Sequence, residues 1–282
     1  MNPVLVFEGM FSIMLGLIVG SFLNVCISRI PRQESVVFPS SHCPACGALI
    51  KPYDNIPVVS FLLLGGKCRT CRNPISWQYP LVELLTALIF WLTWNRWSLS
   101  LPMLIYWVFF SALIVLVLID LYHRILPNVI TLPGILAGMV ASLFIPLKDG
   151  SGEFLLRLAG WISAPLWLNS LLDSLAGAAV CGGFLWAVAE AYFRIRKLEG
   201  MGFGDVKLMG MVGAFLGVKL ALLTIMLGSF LGSVIGFSYI KLSGKDNRYE
   251  LPFGSFLGLA AIIAALWGEK ILGAYLGLLR GY

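Results

Sequence analysis

The sequence predicts an all-α polytopic membrane protein, about eight transmembrane helices with a small zinc-knuckle loop on the cytoplasmic side. Three observations predict it. Hydrophobic residues make up 59% of the chain and charged residues 12%, about half the charged share of an ordinary soluble domain, and the mean hydropathy is +0.89. Several apolar runs reach or approach the roughly 20 residues that cross a bilayer. Four of the six cysteines fall in two Cys-x-x-Cys pairs within one polar stretch. The net charge of +6 is therefore a matter of loop topology; the expected partner is the lipid bilayer, and nucleic acid is not one.

Taken in order, the apolar runs give spans at 4–28, 80–95, 101–120, 128–147, 173–193, 205–218, 220–241 and 252–279. The first has no basic stretch before it and no small-residue cleavage site, so it reads as a retained helix and not as a signal peptide. The second and sixth are short, as expected of tilted, protein-buried or interfacial segments. Three regions follow: a first helix at 1–28, a cysteine loop at 29–80 and a helical core at 81–282. The segment 148–172 carries Phe154, Leu155, Leu158, Trp161 and Ile162 at helical spacing, with Trp167 and Leu168 beyond Pro165. It reads either as an amphipathic interfacial helix or as an ordinary connector.

Orientation comes from lysine and arginine. Thirteen basic residues follow the odd-numbered spans: Arg29, Arg32, Lys51, Lys67, Arg69 and Arg72 after the first, Arg124 after the third, Arg194, Arg196 and Lys197 after the fifth, and Lys241, Lys245 and Arg248 after the seventh. The opposite loops hold Arg96, Lys148, Arg157 and Lys219, with Arg280 at the tail. Because basic loops stay inside, both termini are expected outside.

Cys43-Pro44-Ala45-Cys46 and Cys68-Arg69-Thr70-Cys71 are separated by 21 residues. Each pair can offer two thiolates to one metal, and four thiolates close a tetrahedral zinc shell with no open position. Gly47 and Gly65-Gly66 supply the backbone freedom of tight knuckles. A reducing cytoplasm favours metal over disulfides, and a loop this small needs such a staple. His42 adjoins Cys43, but four sulfurs already fill the shell. Cys26 and Cys181 lie in apolar runs and read as small buried hydrophobes.

Two acids stand at the cytoplasmic ends of spans. Asp120 ends the run Leu116-Val117-Leu118-Ile119, at the unfavourable negative pole of its helix; alone it reads equally as a solvated interfacial carboxylate. Asp205 follows Gly200, Gly202 and Gly204 at a position suited to a helix N-cap. The glycines read either as a simple turn or as an extended backbone that a peptide can approach closely, which makes Gly202 and Gly204 candidate substrate-binding residues. Two carboxylates a few ångström apart share one proton; the ionised member can take a proton from water while the other donates to a carbonyl. Neither Gly-x-Ser-x-Gly nor His-Glu-x-x-His is present.

The chain resembles the type IV prepilin peptidases, the bifunctional leader peptidase/N-methyltransferases of pilus and type II secretion systems. The resemblance is carried by Gly20-Ser21-Phe22-Leu23-Asn24-Val25, Arg29-Ile30-Pro31, the two Cys-x-x-Cys pairs, Tyr79-Pro80-Leu81-Val82-Glu83, Leu126-Pro127-Asn128, Gly202-Phe203-Gly204-Asp205-Val206-Lys207 and Pro252-Phe253-Gly254. It implies that Asp120 and Asp205 are an aspartic peptidase pair on the cytoplasmic face of the bacterial inner membrane. It implies prepilin or pseudopilin substrates with a short basic leader, and methylation of the new N-terminus from S-adenosylmethionine. The cysteine loop then belongs to the methylating form. Asn128 and Ser255 replace the Asp and Pro of many relatives, departures expected to bear only on local loop detail. For methyl transfer no Rossmann fingerprint is present; Glu8 and Glu83 are candidates to hold an amine or cofactor, though each reads more simply as an interfacial carboxylate. The competing readings are a proton- or cation-coupled transporter using the two acids as ion sites, and a metal-sensing scaffold built on the cysteines.

Overall fold

The computed structural model describes residues 3–147, 149–161, 164–197, 201–243 and 252–280. Lys148, Ile162, Gly200, Lys245 and Arg248 lie outside the described residues. Among the described residues the regular elements are helices: α1 (Pro3–Arg29), α2 (Val59–Leu63), α3 (Gln78–Trp97), α4 (Leu101–His123), α5 (Asn128–Ser142), α6 (Ser151–Leu158), α7 (Leu166–Arg196), α8 (Phe203–Ser243) and α9 (Phe253–Arg280), with short 3-10 turns at Ile30–Arg32 and Pro52–Asp54. The helical runs Pro3–Arg32, Leu101–His123, Leu166–Arg196, Phe203–Gly236 and Phe253–Leu278 are long and apolar enough to cross a membrane, and Asn128–Ser142 is a shorter apolar helix.

The chain divides into two compact units, Met1–Val115 and Leu116–Tyr282. In the first, α1 packs along α3. Small residues make the approach: a Cβ on Gly20 would stand 2.7 Å from the Glu83 Cα. Beyond that seam Phe90 stacks on Trp107 with ring centroids 4.5 Å apart, and the Trp107 indole donates to the Phe90 carbonyl. Met103 is buried in the same cluster.

In the second unit, α7, α8, α9 and α5 pack around a core that includes Leu208, Met209, Met211, Val212 and Leu257. Backbones of α7 and α8 touch at Gly177 and Gly213, where a Cβ on either would meet the other's carbonyl oxygen. This is the small-residue contact that membrane helices use in place of hydrophobic driving force.

α8 is two helices. Gly217 breaks it with φ 75° and ψ −179°, a conformation that glycine adopts without strain. Past the break, Leu220 meets Gly268 and Gly228 meets Leu257, so the second segment runs antiparallel to α9. The chain therefore turns back at Gly217, as the separate runs at 205–218 and 220–241 predict. Two of the groups beside the break find side-chain partners. Asp149 Oδ1 accepts the Lys219 N–H at 2.8 Å, and the Ser174 hydroxyl donates to the Ala214 carbonyl at 2.7 Å.

Three local expectations change. α7 begins at Leu166, with Pro165 at its N-cap, so Trp167 and Leu168 belong to it and not to a separate interfacial helix. Pro165 presets the backbone for that start. The amphipathic helix shortens to α6, whose Phe154, Leu155 and Leu158 are exposed. α8 begins at Phe203, so Asp205 lies inside its first turn and Gly204 is helical; neither is part of an extended strand or a cap.

Candidate functional sites

The second unit gathers three element ends. Asp120 lies in the last turn of α4, Asp205 in the first turn of α8, and Gly254-Ser255 in the first turn of α9. Both acids are buried, with 5% of Asp120 and 7% of Asp205 exposed. Gly254 lies between them. A Cβ built on it would stand 2.9 Å from Asp205 Oδ1 and 3.1 Å from Asp120 Oδ2. Oxygens at those distances from one point are no more than 6.0 Å apart, so acids 85 positions apart in sequence form a pair. Any side chain at position 254 would occupy the space between them.

The two carboxylates are held differently. Asp120 Oδ2 accepts the Ser255 N–H at 2.6 Å and faces the Ser255 hydroxyl at 2.9 Å. That hydroxyl has one proton and a second acceptor, the Val117 carbonyl, also at 2.9 Å. Asp120 is thus unfavourably placed for its own helix but sits at the positive N-terminal pole of α9, on the Ser255 N–H, which also reaches the Pro252 carbonyl at 3.2 Å. None of the described hydrogen bonds ends on the Asp205 side chain. Burial without donors disfavours a charged carboxylate, whereas donors favour it.

Around the pair, Leu126 fills the space beside Gly204, 2.9 Å from where a Cβ would stand, and reaches Gly254 as well. Lys207 donates to Asn128 Oδ1 at 2.8 Å and lies 5.0 Å from the Phe203 ring. Gly202 is open: a Cβ there would meet nothing nearer than 4.0 Å, and one of the atoms at that distance is Asp205 Oδ2.

Ser255 and Gly254 carry more than the sequence reading gave them. The departure at Ser255 bears on the acid pair and not on loop detail alone: its N–H and hydroxyl both face Asp120. The available clue was a Gly-Ser pair opening an apolar helix, but nothing local says which acid lies opposite.

In the first unit the four cysteine sulfurs of Cys43, Cys46, Cys68 and Cys71 lie within 4.8 Å of one another, with Cys43 and Cys71 3.8 Å apart. Zn–S bonds of about 2.3 Å in a tetrahedron put sulfurs about 3.8 Å apart, so the donor set and spacing fit zinc. All four are free thiols. The two knuckles repeat one backbone pattern. The Cys43 N–H reaches the Ala48 carbonyl and the Gly47 N–H returns to Cys43; the Cys68 N–H reaches Asn73 and the Arg72 N–H returns to Cys68. Gly47 (φ 69°) and Arg72 (φ 60°) hold the same left-handed position. The left-handed residue of the second knuckle is thus Arg72. Gly65 and Gly66 shape the approach to it. The N–H groups of Cys71 and Thr70, pointing at the Cys68 sulfur, bring its thiol down to about 6, which favours the thiolate that a metal needs. Beside it Arg69 grips the Asp54 carboxylate at 2.6 to 3.0 Å, and this pairing holds Asp54 below the ordinary carboxylate range.

Comparison with known proteins joins these observations. Residues 14–97 match the Bacterial Peptidase A24 N-terminal domain, and residues 107–237 match the Type IV leader peptidase family. Among curated relatives, a prepilin leader peptidase/N-methyltransferase of Pseudomonas aeruginosa is 36% identical over 94% of this chain and 92% of its own length. The protein of that name from Stutzerimonas stutzeri is 33% identical over 95% and 94%, and that from Myxococcus xanthus 38% identical over 86% and 68%. No solved structure matches the chain. The transporter reading finds no support in these relatives. Matches that run through both units and cover the acids and the cysteines alike lead to one conclusion: the chain belongs to the type IV leader peptidase family.

Proposed function

We propose that this protein removes the short basic leader of type IV prepilins or pseudopilins at the cytoplasmic face of the bacterial inner membrane, then methylates the new N-terminal amine with S-adenosylmethionine. The observation that carries the first activity is the convergence of Asp120 and Asp205 on Gly254. Two buried carboxylates this close do not both ionise readily. Asp120, held by the Ser255 N–H at the positive end of α9, is the ionised member that takes a proton from water. Asp205, on which no described hydrogen bond ends, carries the shared proton and gives it to the scissile carbonyl. The open backbone at Gly202 beside Asp205 is where the substrate strand passes, and Gly204 keeps Leu126 close behind it.

The family names of the relatives support the second activity. S-adenosylmethionine is its methyl donor, and the loop 29–80 and first helix 1–28 serve it, while 81–282 contains the peptidase acids. Zinc on Cys43, Cys46, Cys68 and Cys71 is structural, since four sulfurs leave no position for a reacting group. The basic loops after odd-numbered spans support a topology with both acids inside and both termini outside.

The test is a reconstituted one. Full-length protein in lipid vesicles is mixed with a prepilin, and product masses are followed with and without S-adenosylmethionine. Loss of the leader mass, then a gain of one methyl only when the donor is present, supports both activities. Cleavage that survives Asp120→Asn or Asp205→Asn rejects the pair, and mature product that gains no methyl rejects the second activity alone.

A further inference from the structure

Along the seam of α1 and α3 lies another buried acid that the peptidase chemistry does not use. Glu83 is 6% exposed. Its Oε2 accepts the Val58 N–H at 2.7 Å, and the Ser21 side chain is a further donor. Among the described residues no lysine, arginine or histidine pairs with it. The donor Val58 is itself unusual, a β-branched residue held at φ 60° and ψ −48°, a conformation such residues avoid.

One helical turn along the same seam, Asn24 is 2% exposed. Its Nδ2 donates to the Tyr79 carbonyl at 3.1 Å and to Gly20 at 3.3 Å. Its Oδ1 is buried and has no hydrogen-bond partner. Buried acceptors without partners are rare in folded proteins, because each forfeits its hydration with no return. The seam therefore holds an uncompensated carboxylate and an unmet amide oxygen on neighbouring turns. Both are acceptors, and a carboxylate with two donors still has lone pairs to offer. The complement is a cation that brings several N–H groups of its own.

We propose that Asn24 and Glu83 form a binding site for a primary ammonium group in the methyl-transfer reaction, an inference that rests on the methyltransferase activity proposed above. Two participants carry that group: the freshly exposed N-terminus of the mature pilin and the amino-acid end of S-adenosylmethionine. The site is tied to the cysteine loop through Val58, ten positions before Cys68. Collapse of the zinc knuckle would release the Val58 N–H and slacken the Glu83 carboxylate.

The test uses the zinc-loaded full chain in lipid vesicles, a pre-cleaved pilin peptide with a free N-terminus, and S-adenosylmethionine. Glu83→Gln retains an oxygen for Val58 and removes the charge; Asn24→Ala removes the unmet acceptor. Each variant should raise one methylation KM at least tenfold while leader cleavage and zinc content stay within twofold of wild type. A rise for the peptide places the pilin amine in the site, and a rise for S-adenosylmethionine places the donor's amine there. On the wild type, a free-amine compound matching the group bound should compete and its N-acetyl form should not. The proposal is overturned if both KM values stay within twofold in both variants, if cleavage and zinc fall in step with methylation, or if the acetylated compound competes equally. A wild type that neither cleaves nor methylates would instead sink the underlying activity, and this site with it.

Discussion

The second unit holds two pairs of buried acids, one at each end of the first segment of α8, and they are held oppositely. Asp205 opens that segment; Asp149 stands 2.9 Å from where a Gly217 Cβ would be, at its close, twelve residues or about 18 Å away. At the far end every acid is committed to the fold. Asp149 holds the Lys219 N–H and is bonded by the Ser151 hydroxyl, and Asp173 holds the Gly152 N–H at 2.6 Å. At the near end Asp120 is anchored and Asp205 accepts no described hydrogen bond. Proximity and burial of two carboxylates do not by themselves make a reactive site. What separates the pairs is whether a lone pair and a proton are left free to do chemistry.

The largest effect should follow the sharpest form of that contrast. Asp120→Asn or Asp205→Asn should lower prepilin cleavage by about a thousandfold or more, within the range that general acid-base groups contribute, with thermal stability held. Asp149→Ala and Asp173→Ala should do the reverse, leaving cleavage by the folded fraction within about threefold and costing about 1–3 kcal/mol through unmet N–H groups. Rate assays beside thermal unfolding read both; equal kinetic loss at the two ends would break the comparison. Next, Gly217→Ala forces a left-handed backbone and meets the Asp149 side chain, so it should destabilise the protein by about 1–3 kcal/mol with little change in kcat per folded molecule.

Ser255→Ala sharpens the near end. It removes the hydroxyl facing Asp120 but leaves the N–H, so cleavage should slow about tenfold with KM unchanged. In the first unit, Cys68→Ser should strip zinc and methylation, measured by metal analysis and mass, while cleavage persists. The smallest effect is at Arg69. Its grip lowers the Asp54 pKa, so the stabilisation is present above the ordinary carboxylate range and lost as pH falls through the lowered value. Arg69→Ala should therefore change zinc retention slightly at neutral pH and not at all in strong acid.

The parts of the fold that depend on neighbours in sequence were legible. Apolar runs predict the helices, and the break between 205–218 and 220–241 is visible because Gly217-Val218-Lys219 interrupts hydropathy. The knuckles were legible because both ligands of each pair lie within one turn. The second knuckle's positive φ at Arg72 was not, since nothing in an arginine marks a left-handed position. At the acid pair the residues were legible but their supports were not. Ser255 reaches Asp120 across 135 positions, and its role exists only because the N-terminus of α9 faces the C-terminus of α4. Glu83 was legible as an acid able to hold an amine, but Asn24 was not; only the packing of α1 on α3 leaves the Asn24 Oδ1 buried without a partner.

The claim that two carboxylates share one task is tested most directly by a double-mutant cycle on single-turnover prepilin cleavage, comparing Asp120→Asn, Asp205→Asn and the pair together in the full chain. Groups that act as a unit lose their function at the first removal. The double variant should be no slower, within about threefold, than the slower single variant. Losses that multiply across the cycle, or either single variant retaining a tenth of the wild-type rate, would contradict the account.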